Sequence, residues 1–153
     1  MRKSVITYGT FDLFHRGHLN LLERLKDLGD YLIVGVSTDD FNLSKGKQTI
    51  IPFEDRLRIV QSIKFVDLAI PECSWNQKEA DIVNYGVDIF AMGDDWQGKF
   101  DKLRNLCEVV YLSRTPNISS SEIKNLLKIL DKSHVNELKN ALDIISSIVA
   151  RFD

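Results

Sequence analysis

Two histidines stand close together near the start of the chain, within the segment Gly-Thr-Phe-Asp-Leu-Phe-His-Arg-Gly-His at residues 9–18. An apolar run at residues 4–8 precedes this segment and is typical of a strand, and leucines at helical spacing follow it. His15 and His18 would share one face of the first helical turn, and Gly17 would leave room for a ligand near the backbone. Because a helix N-terminus presents free N–H groups, the pattern indicates a site for an anion whose charge grows during a reaction.

The two histidines also have a structural alternative, because a lone histidine near a helix start is often a cap or a surface residue. The chain has 3 histidines, and two of them are His15 and His18. That concentration favours a functional site.

Strand-like and helix-like segments alternate along the rest of the chain, which is typical of a parallel α/β fold. Apolar, strand-like runs lie at residues 31–36, 65–70, 88–92 and 108–112. Helical patterns begin at residues 52, 76 and 122. Pro52 suits a first helical turn and Gly86 suits a helix end. Pro71 predicts the end of the third strand, and the polar residues 37–51 predict a loop.

This order predicts a single Rossmann-like domain at residues 1–131, with a central parallel sheet flanked by helices. Ligands bind at the carboxyl ends of the strands in such a fold. Each predicted strand is followed by candidate residues. The histidine segment follows the first strand, Lys45 and Lys47 the second, and Trp75, Gln77 and Lys78 the third. Gly93 to Trp96 follow the fourth strand and Arg114 to Ser121 the fifth. Loops that meet at one rim support a nucleotide site more strongly than any single loop does.

The composition is that of one globular domain. The chain has 153 residues, 44% of them hydrophobic and 27% charged, which allows one sizeable core. The formal net charge of −2 offers no overall attraction to nucleic acid or to an anionic membrane. Cys73 and Cys107 form neither a disulfide framework nor a metal-binding spacing. Because no signal-like or membrane-spanning apolar run is visible, we expect a cytoplasmic protein without membrane insertion.

Residues 114–122 combine a basic side chain with the start of a helix. Ser119 and Glu122 have the spacing of a capping box, which predicts a helix over residues 122–130. The same helix start offers N–H groups and hydroxyls to a triphosphate. Arg114 has the geometry to hold a phosphate through two hydrogen bonds. The serines can cap the helix and also bind a triphosphate, so the structural and the functional interpretation are compatible.

The segment Gly9-x-Phe11-Asp12-x-x-His15-x-Gly17-His18 resembles the HxGH signature of the cytidylyltransferase branch of the nucleotidyltransferase superfamily. Three further segments are similar, in order and spacing, to the glycerol-3-phosphate cytidylyltransferase family: Phe41-Asn42-Leu43, Met92-Gly93-Asp94-Asp95-Trp96, and Arg114-Thr115-x-x-Ile118-Ser119-Ser120-Ser121. The resemblance covers about residues 3–130. It implies the reaction CTP + sn-glycerol 3-phosphate → CDP-glycerol + diphosphate, which would supply teichoic acid or capsule synthesis.

The resemblance, together with the chemistry of the loops, implies roles for individual residues. The catalytic residues would be His15, His18, Lys47 and Arg114, which stabilise charge on the phosphates. The acceptor would contact Lys45, Trp75 and Lys78. CTP would contact Gly9, Thr10, Phe11, His15, Gly17, His18, Lys47, Asp95, Arg114, Thr115, Ile118, Ser119, Ser120 and Ser121. Mg²⁺ would be bound mainly through the CTP phosphates, and any protein ligands to it are unknown.

Two positions are kept out of the site. Asp12 is expected to be structural and to fix the turn before the histidines. Lys64 stands where the family generally has arginine, and lysine and arginine differ at contacts that need two parallel hydrogen bonds.

Two other functions stay open. The acceptor could be phosphoethanolamine or phosphocholine, but these amines call for an anionic or aromatic pocket, whereas Lys78 offers positive charge. A nucleotide-binding regulator without catalysis is the non-enzyme alternative. The presence of His15, His18, Lys47 and Arg114 argues against it.

The tail at residues 132–153 lies outside the resemblance and is predicted to be one amphipathic helix. Its apolar residues recur every three or four positions: Val135, Leu138, Leu142, Ile145, Val149 and Phe152. Such a helix either docks on its own domain or forms a seam between subunits. Because the family is commonly dimeric, we expect a homodimer.

Overall fold

The computed structural model describes residues 2–128 and 132–152. Its strands are β1 (Ser4–Gly9), β2 (Tyr31–Ser37), β3 (Leu68–Glu72), β4 (Ile89–Gly93) and β5 (Glu108–Leu112). Its α-helices are α1 (Arg16–Lys26), α2 (Asp39–Ser44), α3 (Phe53–Gln61), α4 (Gln77–Asn84), α5 (Ser120–Lys128) and α6 (Lys132–Ala150). Short 3₁₀ helices span Asp94–Trp96 and Asp101–Asn105.

The strands form one five-stranded sheet in the order β3-β2-β1-β4-β5. Each neighbouring pair is parallel. The chain order of the strands reverses at β1, which pairs with β2 on one side and with β4 on the other. A crevice at the carboxyl ends of the strands is expected at such a switch point. The prediction of a Rossmann-like parallel sheet flanked by helices is therefore confirmed.

The sheet is buried on both faces because its central strands are almost wholly apolar. Alternate residues of a strand point to opposite faces, so Val5 and Ile6 enter different core clusters. One cluster packs β1 and β2 against α1 and α3, through residues that include Leu22 and Val60. The other packs the opposite face against α4 and the second 3₁₀ helix, with Ile82 as a contributor. Both clusters hold the sheet, and hence the loops at its edge, in place.

A short helix, α2, lies where the polar residues 37–51 predicted a loop, so that prediction is wrong for residues 39–44. Thr38 caps the helix, since its hydroxyl accepts a hydrogen bond from the Phe41 N–H at 3.2 Å. Phe41 and Asn42 are buried, whereas the other residues of the helix are polar or exposed. With so few apolar positions, the segment shows no helical period in the sequence.

The third strand begins at Leu68 and includes Pro71, whereas the prediction placed it at residues 65–70. The Asp67 carboxylate accepts a hydrogen bond from the Leu32 N–H at 2.7 Å, so a side chain takes the place of a ladder partner just before the strand. Pro71 is tolerated because β3 is an edge strand, where a missing N–H costs no ladder bond. The helix α3 begins at Phe53, one residue later than predicted, so Pro52 is its N-cap and not its first helical residue.

The chain divides into two compact units, Met1–Ile118 and Ser119–Asp153. The predicted domain boundary at residues 131 and 132 stays a prediction. In the second unit, the Ser119 hydroxyl accepts a hydrogen bond from the Glu122 N–H at 3.1 Å, as the capping pattern predicts. The helix begins at Ser120, earlier than predicted, and residues 129–130 lie outside the described residues.

Among the described residues, no helix combines the length and apolar character needed to cross a membrane.

Candidate active site

The carboxyl ends of the parallel strands lie along one edge of the sheet, and the candidate residues of the first unit follow these ends. β1 leads into the histidine segment, β2 into α2 and the lysine loop, and β3 into the loop with Trp75. β4 is followed by Asp94–Trp96, and β5 by Arg114. The predicted convergence of these loops on one rim is thus built into the strand order.

His15 and His18 cap the N-terminus of α1 reciprocally. The Nδ1 atom of His15 accepts a hydrogen bond from the Gly17 N–H at 3.0 Å, and the Nδ1 atom of His18 accepts one from the His15 N–H at 3.2 Å. The two rings stack with their centroids 4.0 Å apart. An Nδ1 atom that accepts a hydrogen bond carries no proton, so each neutral imidazole has its proton on Nε2. The cap thereby makes both histidines Nε2–H donors.

The surroundings of the two imidazoles keep them neutral. Burial lowers the pKa of His18 to about 4, and the neighbouring His15 adds to that effect. Burial also lowers the pKa of His15, with further contributions from Arg114 and Arg16. The Nε2 atom of His15 is buried and has no hydrogen-bond partner among the described residues. Leaving a buried donor unpaired costs about 1–3 kcal/mol, which an oxygen of a bound phosphate would recover.

The turn before the histidines is strained and is held by Asp12. Phe11 and Leu13 have φ values of 54° and 49°, which non-glycine residues rarely adopt. The buried Asp12 carboxylate accepts hydrogen bonds from the N–H groups of Leu13, Ile50 and Ile51 at 3.1, 2.8 and 2.9 Å. It therefore ties the turn after β1 to the end of the lysine loop, which is the structural role expected of it. Strain of this kind is typical of functional sites.

Gly17 has a different role from the one expected. A Cβ atom at this position would lie 2.8 Å from Cε1 and 2.9 Å from Nδ1 of His15. The space next to Gly17 is therefore filled by the His15 ring, and not left open for a ligand. The Gly17 N–H is also engaged by the cap. Gly17 is required so that His15 can fold back over the helix start.

Arg56 was not identified from the sequence, and it joins three segments of the site. Its side chain is fully buried, and it donates hydrogen bonds to the carbonyls of Ile51, Thr10 and Ser37 at 2.8, 2.7 and 2.7 Å. Its Nη2 atom also lies 2.8 Å from the Asp39 carboxylate. The position between Phe53 and Val60, on the apolar face of α3, is the signal that could have marked this arginine as buried.

The lysine loop begins at the C-terminus of α2. The Lys45 ammonium lies 4.1 Å from the Phe41 ring centroid and 5.3 Å from that of Trp75, which are cation–π distances. Burial lowers the pKa of Lys45. Lys47 is exposed, and its N–H bonds to the Asn42 carbonyl at 2.8 Å. The Lys45 ammonium thus lies beside the Trp75 ring, whereas the Lys47 side chain is exposed to solvent.

Arg114 and Asp95 come together from the ends of β5 and β4. The Arg114 guanidinium lies 3.3 Å from the Asp95 carboxylate, and both side chains are about half exposed. Thr115 accepts a hydrogen bond from Asn20 of α1 at 3.4 Å, which ties this loop to the histidine helix. Arg114 and Asp95, which are both predicted to bind the nucleotide, are therefore neighbours.

Lys78 lies in the first turn of α4, within the helix that the sequence predicts from residue 76. Only 3% of the residue is exposed, and its ammonium lies 2.5 Å from the carboxylate of Glu72 at the end of β3. A cavity of about 320 Å³ opens nearby, and its wall includes Trp75, Trp96 and Lys78. The positive charge predicted for the acceptor is present here, but a carboxylate already neutralises it.

Within the part of the chain that the structure describes, no group of three or more histidine, cysteine and acidic side chains is arranged to hold a metal ion. Mg²⁺ commonly uses few protein carboxylates together with phosphate oxygens and water. A magnesium ion held mainly by the phosphates of a nucleotide would not need such a group.

Comparisons with known proteins point in one direction. The family model described as "Cytidylyltransferase-like" matches residues 6–126. The chain is 57% identical over 122 residues to the glycerol-3-phosphate cytidylyltransferase of Bacillus subtilis (strain 168), covering 80% of this chain and 95% of that protein. It is 53% identical over 125 residues to the enzyme of that name from Staphylococcus aureus (strain NCTC 8325 / PS 47), covering 82% and 95%.

Among solved structures, the lipopolysaccharide core biosynthesis protein from Thermoplasma volcanium GSS1 has a similar fold. Its TM-score is 0.64 and its sequence identity 29%, over 75% of this chain and 99% of that chain. The similarity in fold is consistent with the parallel sheet described above.

Proposed function

Because the chain belongs to the cytidylyltransferase-like family, and within it to the glycerol-3-phosphate cytidylyltransferases, we propose that it converts CTP and sn-glycerol 3-phosphate to CDP-glycerol and diphosphate. It is an enzyme, a nucleotidyltransferase. The observation that supports this chemistry most directly is the pair of neutral imidazoles whose Nε2–H groups are left as donors by the helix cap.

The reaction needs charge stabilisation more than proton transfer. An oxygen of the acceptor phosphate forms a bond to the α-phosphorus of CTP, and the bond from that phosphorus to the oxygen that bridges the α- and β-phosphates breaks, so that this oxygen leaves with the diphosphate. The nucleophile is already an anion, so no general base is required. His15 and His18 would donate their Nε2–H groups to the α-phosphoryl oxygens as charge builds up on them. Neutral donors with a fixed tautomer require no reorganisation at that moment.

The remaining loops would bind the nucleotide. Lys47 and Arg114 would contact the triphosphate, and Asp95 would accept a hydrogen bond from the exocyclic amino group of cytosine. Mg²⁺, bound through the phosphates and water, would neutralise part of their charge. The proposed CTP contacts also include the remaining positions: Gly9, Thr10, Phe11, Thr115, Ile118, Ser119, Ser120 and Ser121. The exposed Lys47 would close over the bound phosphates.

The acceptor would bind beside Trp75. Lys45 and Lys78 both lie within cation–π distance of the Trp75 ring, at 5.3 and 5.0 Å, so two positive groups flank one apolar wall. Glycerol 3-phosphate carries a dianionic phosphate and no positive group, which fits two lysines. We further propose that the reaction takes place in the cytoplasm and that CDP-glycerol supplies teichoic acid or capsule synthesis.

The acceptor assignment is tested by turnover of the wild-type protein with CTP, Mg²⁺ and each of three acceptors. We expect kcat/KM for glycerol 3-phosphate to exceed that for phosphoethanolamine or phosphocholine by about tenfold or more, a difference of about 1.4 kcal/mol. Phosphorus NMR of the products measures it. Faster transfer to either amine would overturn the acceptor, and no turnover with any acceptor would support a regulator instead.

The role of the histidines is tested by His18→Ala. Loss of one donor to a developing charge should lower kcat by about 10²–10³, with a much smaller effect on CTP binding. Steady-state kinetics and direct titration of CTP measure the two effects. His134→Ala, in the exposed helix α6, is the matched control and should keep wild-type turnover. A His18→Ala variant with near wild-type kcat would contradict the role.

We also propose a homodimer, supported by the apolar residues of α6 at the spacing of a helical seam. Sedimentation of the full chain, whose mass is 17.5 kDa, should give about twice that value. Sedimentation of a truncated chain that ends at Leu130 tests whether the tail forms the subunit interface. A fall to the monomer mass assigns α6 to the subunit seam, and an unchanged dimer assigns the interface elsewhere. A full chain that sediments as a monomer contradicts the proposal.

A further inference from the structure

A buried ion pair lies at the acceptor edge of the sheet. Glu72 is the last residue of β3, and Lys78 is in the first turn of α4. Their side chains are 5% and 4% exposed, and the Lys78 ammonium lies 2.5 Å from Glu72 Oε2. Removing two charges from water generally costs more than their attraction returns, so a buried pair is weak support for stability.

The Lys78 ammonium is held from other sides by aromatic rings. It lies 4.6 Å from the ring centroid of Tyr8, 5.0 Å from that of Trp75 and 5.5 Å from that of Phe100. Ring faces stabilise a cation without neutralising it. The Lys78 ammonium thus has contacts to three aromatic rings in addition to its pairing with the carboxylate.

Glu72 also acts on the second lysine of the acceptor site. Its carboxylate raises the pKa of Lys45, against the larger effect of burial. Lys45 and Lys78 together carry two positive charges, and Glu72 cancels one of them. A phosphate monoester brings two negative charges at neutral pH, whereas a phosphate diester brings one. The dianion competes with the carboxylate for the lysines much better than the monoanion does.

We propose that Glu72 is a specificity-determining residue of the acceptor site: its carboxylate pairs with Lys78 in the free enzyme, and only a dianionic phosphate monoester exchanges with it. The inference rests on the proposed acceptor role of Lys45 and Lys78. It predicts that Glu72 weakens acceptor binding and in return rejects singly charged phosphates. In the free enzyme the same carboxylate compensates a buried cation.

The test is Glu72→Gln, which keeps the shape of the side chain and its hydrogen bond to Lys78 but removes the negative charge. We expect KM for glycerol 3-phosphate to fall about three- to tenfold, because one repulsive charge is lost, while KM for CTP changes less than about twofold. Glu72→Met should shift the acceptor KM in the same direction. Thermal unfolding confirms that each variant is folded.

The matched control is Glu108→Gln, which makes the same change of net charge at the exposed start of β5, the opposite end of the sheet. It should leave both KM values as in the wild type. A merely structural Glu72 would lower the melting temperature when substituted, and the acceptor KM would rise or stay the same. Either of these KM results, in folded Glu72→Gln or Glu72→Met, overturns the proposal.

Selectivity is measured with two inhibitors that lack the glycerol part, methyl phosphate and dimethyl phosphate. In the wild type at pH 8, the dianionic methyl phosphate should compete with glycerol 3-phosphate at least about tenfold better than the singly charged diester. The ratio of the two inhibition constants should move closer to one in Glu72→Gln. Equal inhibition in the wild type, or an unchanged ratio in the variant, contradicts the proposal. Absence of wild-type turnover with glycerol 3-phosphate would instead refute the proposed function.

Discussion

The reciprocal cap between His15 and His18 is the interaction on which the site depends. Each Nδ1 atom accepts a hydrogen bond from a backbone N–H at the start of α1, so the helix start and the proposed catalytic groups form one structure. An ordinary serine or aspartate cap would satisfy the same N–H groups. Two imidazoles satisfy them and still leave a donor on the far side of each ring, next to the positive end of the helix. The neutral state follows from burial, which lowers both pKa values.

The cap needs a rigid base, and two buried charged residues provide it. Asp12 joins the strained turn after β1 to residues 50 and 51, and Arg56 joins the ends of β1 and β2 to the same segment. Both position loops through hydrogen bonds to the backbone, and Arg56 also pairs with the Asp39 carboxylate. Glu72 and Lys78 form an ion pair in which both side chains are buried, and this pair lies at the proposed acceptor site.

The sequence predicted what depends on periodicity and on local caps. The run at residues 108–112 coincides with β5, and Ser119 caps its helix as its spacing to Glu122 indicates. Features that arise from contacts distant in sequence could not be predicted. Asp67 delays the start of β3 by bonding to Leu32, and the Arg56 guanidinium bonds to the carbonyls of Thr10 and Ser37. Lys78 offers a charge in the sequence, but its pairing with Glu72 exists only once strand and helix meet.

The central claim is that both imidazoles are neutral Nε2–H donors, and their tautomers are observable by long-range ¹⁵N–¹H correlation NMR. At pH 7 we expect His15 and His18 each to carry one proton, on Nε2. His18 should stay neutral as the pH is lowered until it approaches about 4. A proton on Nδ1 of either ring at pH 7, or a charged His18 at pH 6, would contradict the account.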